Sequence, residues 1–166
     1  MGHWTDIPYE QRTDMDKVRS QWTKLGGHHS RTDWSAAVVR AAIACEIAVN
    51  FAIRREFTER SEFSEDFVNG LLQRANGLSG KVTKLLLPLL EGQQKYEAIN
   101  ALCNHHVQAI STKRNAITHQ GAFCAEADAT ALIASCRQFV EGVITAYEPT
   151  FALPGLAEQQ VIAQEE

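Results

Sequence analysis

The sequence predicts an all-α bundle, and three observations predict it. Apolar residues recur at spacings of three and four along two long proline-free stretches, 33–60 and 93–119, the period of a helix with a face turned to a core. The one run that could be a buried strand, residues 85–90, has no second strand candidate to pair with. A chain of 166 residues that is 45% apolar has enough material for one core and too little for two.

Charge and cysteine usage narrow the function classes. The net charge of −4 excludes a general electrostatic grip on nucleic acid, so any such contact must be local. Cys45, Cys103, Cys124 and Cys136 lack CxxC spacing and follow no secretory leader, the pattern of reduced thiols in a cytoplasmic protein. The N-terminus has neither the apolar core of a signal nor the serine or threonine that myristoylation needs at position 6. Charges interrupt the apolar runs short of the ~18 residues of a span, so no membrane partner is expected.

Residues 1–32 read as an arm and one amphipathic helix. Met15, Val18, Trp22 and Leu25 form its stripe, with Gly26-Gly27 as its stop. His28 and His29 follow without spaced partners, as solvated residues do, so no metal is expected there. The bundle proper covers 33–148. Its first helix, capped by Thr32 or Asp33, carries small residues on one face (Ala41, Cys45, Ala48, Ala52) and bulky ones on the other (Ile43, Ile47, Phe51), so it must be sandwiched. Glu46 and Asn50, four apart, share a face.

A second bundle helix starts at Ser64, with Phe63 placed to staple against Val68 and Asn76-Gly77 as its end. Its stripe of Phe67, Val68, Leu71, Leu72 and Ala75 reads as buried core. A short helix over 81–90 follows, which Pro88 must kink or break. Gly77-Leu78-Ser79-Gly80-Lys81 shares only a Gly-Lys pair with a phosphate loop and lacks its spacing. The last helix, over 125–147, turns Leu132, Cys136, Phe139, Val140 and Val143 to one side and closes the bundle. Pro149, Pro154 and Gly155 then release a flexible tail, 149–166.

The helix over 93–119 carries the chemistry. With Ile99 as origin, Leu102, Cys103, His106, Ile110 and Ile117 fall within about 60° at ~100° per residue; Cys103 and His106 therefore read as core rather than as metal ligands. Arg114 sits at the edge of that seam, where an aliphatic residue is expected. Asn115 and His119 lie on the opposite face, so Lys113-Arg114-Asn115-Ala116-Ile117-Thr118-His119-Gln120-Gly121 straddles an edge. Arg114 offers a planar fork of donors for a phosphate, and an unperturbed imidazole exchanges protons near neutrality. Cleavage of a phosphodiester needs those two roles. Glu46 and Asn50 read as a solvated stripe or, in a functional reading, as residues that orient the Arg114 or His119 side chain, because a guanidinium at a core seam requires a countercharge.

The spelling Arg114-Asn115, three residues, His119, then Gly121 at the end of a long helix resembles the motif of the HEPN superfamily, in which four to six residues separate an arginine from a histidine. The resemblance covers roughly 33–148. It implies a HEPN-like up-down helical bundle, here with an additional N-terminal helix. It further implies a metal-independent endoribonuclease without cofactor, with Arg114 and His119 catalytic and Asn115 supporting, and with 2′,3′-cyclic phosphate ends as products. Such domains commonly dimerise with the two motifs facing each other, so a homodimer is expected, with an antitoxin protein as a further partner in a toxin–antitoxin, defence or stress role. One position departs: the branch paired with nucleotidyltransferase antitoxins often carries a tyrosine where this chain has Gly121, so control by adenylylation is not carried over. The alternative of a different class is a non-catalytic HEPN-like dimer that binds a nucleotide or a protein. A metal-binding bundle is disfavoured, because no Glu-x-x-His pair occurs.

Overall fold

The computed structural model describes residues 6–156. Among them the protein is all α-helical, with no strand. After a 3-10 turn (Tyr9–Gln11) come α1 (Asp14–Ser30), α2 (Trp34–Arg60), α3 (Glu65–Arg74), α4 (Gly77–Lys81), α5 (Leu87–Leu90), α6 (Tyr96–Gln120) and α7 (Glu126–Thr145). A π turn over Val82–Leu86 joins α4 to α5 as one rod, so six helical rods make up the described bundle.

The central rod is α2, which packs on α1, α6 and α7 and on the α4–α5 rod. Its small-residue face explains this: Ala37, Ala41, Ala44, Cys45, Ala48 and Ala52 expose nothing, which lets neighbouring backbones come close. The bulky face is less covered, with Phe51 buried and Ile43 and Ile47 half-buried. Asp33 is its cap, accepting from the Ala36 N–H at 3.3 Å. By length and composition α2 alone among the described helices could cross a membrane, contrary to the expectation that charges interrupt every such run: Arg40 and Glu46 are too sparse to do so. Most of that apolar surface is covered by the rest of the bundle.

The N-terminal helix is integral to the core. Val18, Trp22 and Leu25 of α1 are fully buried, and Arg54 of α2 reaches the Asp14 carboxylate at 2.6 Å. The expected stop at Gly26-Gly27 does not occur, since α1 runs on to Ser30. Packing along α2 outweighs the weak helix propensity of two glycines. The chain turns instead at Thr32, whose φ of 59° is left-handed, with the Asp33 N–H donating to the His28 carbonyl.

Further local expectations change. Ser64 caps α3, and Phe63 packs on Phe67 with ring centroids 4.6 Å apart. Phe67 is therefore exposed, and the buried stripe narrows to Val68, Leu72 and Ala75. Gly77 begins α4 instead of ending α3, whose last residue is Arg74. Pro88 breaks nothing. Its ring would meet the carbonyl four residues back in an ordinary helix; the π turn before it widens the coil, and the Leu87 N–H donates to the Val82 carbonyl.

The tail expected from 149 starts docked. Phe151 and Leu153 are buried, the Leu153 N–H donates to Glu141 Oε1 at 2.9 Å, and the Arg137 guanidinium donates to the carbonyls of Leu153 and Pro154. Residues 1–5 of the expected arm and 157–166 of the expected tail lie outside the described residues.

Candidate functional site

The motif occupies the last two turns of α6. Gly121 ends the helix in the left-handed conformation (φ 65°, ψ 24°), which a glycine adopts without a Cβ penalty. The Gly121 and Ala122 N–H groups converge on the Ala116 carbonyl, so the helix stays wound through His119. Its backbone therefore keeps Arg114 and His119 about 140° apart, at ~100° per residue.

Arg114 is half-buried and lines a cleft of about 90 Å³ with Ala42 and Glu46 of α2, Asn76 to Ser79 before and within α4, and Ile110, Ser111 and Asn115 of α6. The volume is several times the roughly 10–15 Å³ that a single water needs. Arg114 donates to Asn115 Oδ1 at 3.2 Å and makes no ion pair among the described residues. The Ser111 hydroxyl oxygen is buried without a hydrogen-bond partner among the described residues. An unpaired guanidinium on a cleft wall is complementary to an oxyanion.

Of the residues singled out from the sequence, the fold brings Arg114, Asn115 and Glu46 to that cleft and leaves two outside it. His119 is exposed at the end of α6 and is not a wall of the cleft. Asn50 does not line it either, and its Oδ1 is buried without a partner among the described residues. The expected countercharge role of Glu46 is corrected: its Oε1 accepts from Lys81 Nζ at 2.6 Å, not from Arg114. Lys81 escaped the sequence reading because its partner lies 35 residues away; Ser111 escaped because one serine in a helix carries no signal until the cleft closes over it.

The other constellations have structural explanations. His28 meets the Asp33 carboxylate at 3.1 Å, and His29 stacks edge-on against Trp34. Among the described residues no three His, Cys, Asp or Glu side chains converge as metal ligands. Burial pushes the Cys45 and Cys124 thiols up, and that of Cys103 to about 11, so none is a ready nucleophile.

His106 is buried, with Nδ1 2.5 Å from Ser135 Oγ. Burial, and then the neighbouring His105, hold its pKa below the ordinary value. The sign follows: the unfolded chain takes up this proton first as pH falls below about 6.5, so the stability His106 contributes as a neutral ring is present above that value and lost beneath it. Urea midpoints of the wild type should drop between pH 6.5 and 5, and His106→Gln should drop less over that range. Parallel slopes for the two proteins would remove His106 as the cause.

No protein-family model matches the chain, and neither curated proteins nor solved structures give a match.

Proposed function

We propose that the protein is a metal-independent endoribonuclease of HEPN type that works as a two-fold dimer. The observation that carries the reading is Arg114: a half-buried guanidinium without a carboxylate partner among the described residues, five residues before an exposed histidine at a helix end. In this mechanism Arg114 binds the scissile phosphate and stabilises the charge that grows on its oxygens in the transition state. His119 takes the proton of the ribose 2′-OH or gives one to the departing 5′-oxygen. The 2′-oxygen bonds to phosphorus as the 5′-oxygen leaves, giving a 2′,3′-cyclic phosphate and a 5′-OH. Asn115 steadies the guanidinium.

Two copies supply what one lacks. On a single chain His119 stands outside the Arg114 cleft, and one imidazole cannot be base and acid at once on opposite sides of a phosphate. Facing motifs bring two arginines and two histidines to one RNA strand, a local positive site on an acidic protein. Half-buried Ile43 and Ile47 share a helix face with Glu46, beside the cleft, and support an isologous contact there. A cytoplasmic toxin, defence or stress role, with an antitoxin protein as partner, belongs to the same proposal. The placement of His119 outside the cleft favours a second reading, a dimeric module that binds a nucleotide or protein without cleaving it.

Labelled single-stranded RNA incubated in excess chelator separates the readings. Cleavage should persist with cyclic phosphate ends, and light scattering should give twice the chain mass. Activity that needs added metal would instead mean a metallonuclease. Binding without cleavage would select the module, and a monomer would sink the facing-motif mechanism.

A further inference from the structure

The geometry points to Lys81 as a positioning residue of the Arg114 cleft: by holding Glu46 it keeps the guanidinium open to a phosphate group. The inference deepens the ribonuclease reading and rests on it for the source of the phosphate, an RNA backbone. The cleft walls include one acid, Glu46, and one base, Arg114. Opposite charges sharing so small a space pair with each other unless a third group claims one of them. Lys81 does so. Its Nζ lies 2.6 Å from Glu46 Oε1, with 8% of the lysine side chain and 29% of the glutamate exposed. Arg114 is left with the neutral oxygen of Asn115 at 3.2 Å. The last residue of α4 thus sorts the charges into one internal pair and one cation facing the cleft. Removing the ammonium would leave Glu46 with Arg114 as the only cation on the cleft wall, and the carboxylate would occupy the place of the phosphate.

The test titrates inorganic phosphate into the full-length protein and follows the Arg114 Nε–Hε resonance. The wild type should shift saturably, and Lys81→Met should bind about tenfold more weakly, the scale of one charged contact. Lys81→Arg should bind like the wild type, and Lys81→Met combined with Glu46→Gln should recover, since no carboxylate then competes. A merely structural lysine makes the double variant no better than the single one, and that result would overturn the inference. So would wild-type affinity in Lys81→Met, or no saturable shift in the wild type. If Lys81→Met fails to fold by circular dichroism, Glu46→Gln alone decides: affinity at or above wild type supports the inference, and weaker binding overturns it. RNA cleavage by the same proteins keeps the two ideas apart. Phosphate binding in this pattern without cleavage sinks the ribonuclease and leaves the lysine's role; cleavage by wild type and Lys81→Met alike does the reverse.

Discussion

Arg114→Ala and His119→Ala should each lower RNA cleavage by roughly 10²-fold to 10⁴-fold, the range for losing one donor to a developing oxyanion or one proton-transfer group. Neither change should disturb the fold. The His119 side chain is exposed and makes no hydrogen bond or ion pair among the described residues, and there the Arg114 side chain bonds only to its neighbour Asn115, so helix content and urea midpoint should match the wild type closely. Two further variants sharpen the test. Arg114→Lys keeps the charge but not the planar fork, and should recover only part of the lost activity. Mixing Arg114→Ala with His119→Ala protein should restore some cleavage if a productive site draws on both copies, because each heterodimer keeps one intact residue of each kind. Full activity in either single variant would mean that the chemistry lies elsewhere. Loss of activity in both, with no recovery on mixing, would mean that the reaction needs both histidines or that Arg114 and His119 act within one chain.

The parts of this fold that sequence periodicity exposes are the ones that bury a continuous face. Helices α2, α6 and α7 were legible because each turns apolar residues to the core at helical spacing, and two of them carry an end signal besides, the Asp33 cap for α2 and the left-handed Gly121 for α6. Local rules failed where tertiary contacts outweigh them. Gly26-Gly27 stays helical because the turns before it are clamped to α2, and Pro88 stays in a rod because the preceding π turn makes room for its ring. The candidate site divides in the same way. Arg114, Asn115 and His119 are neighbours in sequence, and their unusual placement along α6 was legible. Lys81 and Glu46 meet only through folding, and a lysine after Ser79-Gly80 reads as an ordinary surface residue. Glu56 hid for the opposite reason: a glutamate among Arg54, Arg55 and Glu59 looks solvated, yet it is fully buried.

Glu56→Ala should therefore be the most destabilising single change at a charged residue, costing about 3–5 kcal/mol, the penalty for removing one partner of a buried ion pair. The carboxylate exposes nothing and is matched on both oxygens. Oε1 accepts from Lys95 Nζ at 2.6 Å and from the Tyr147 hydroxyl at 2.8 Å, while Oε2 accepts from Gln93 Nε2 at 2.8 Å, with an Arg60 nitrogen 3.6 Å away. The Lys95 ammonium also lies 4.1 Å from the centre of the Tyr147 ring. One side chain thereby ties α2 to the 91–95 turn and to the end of α7. Truncation leaves the tyrosine hydroxyl and the ammonium without their acceptor and opens a cavity besides. Burial alone would raise the carboxyl's pKa, but the donors from Lys95, Gln93 and Tyr147 outweigh it and hold it below the usual range. A depressed folded value means that this stability is complete above the unfolded pKa of about 4.3 and is lost as pH falls through the folded one. The free-energy gap between wild type and Glu56→Ala should thus stay constant from pH 7 to 5 and narrow below about 4. The control is Glu148→Ala, which breaks an exposed pair with Arg55 at 3.4 Å and should cost under about 1 kcal/mol. Along α6, Lys95 and Arg114 are separated by about 28 Å at 1.5 Å per residue, so Glu56→Ala protein that remains folded should still cleave RNA. Urea unfolding decides the matter: a Glu56→Ala cost no larger than that of Glu148→Ala, or a gap that widens in acid, would show that this carboxylate does not hold the far end of the bundle together.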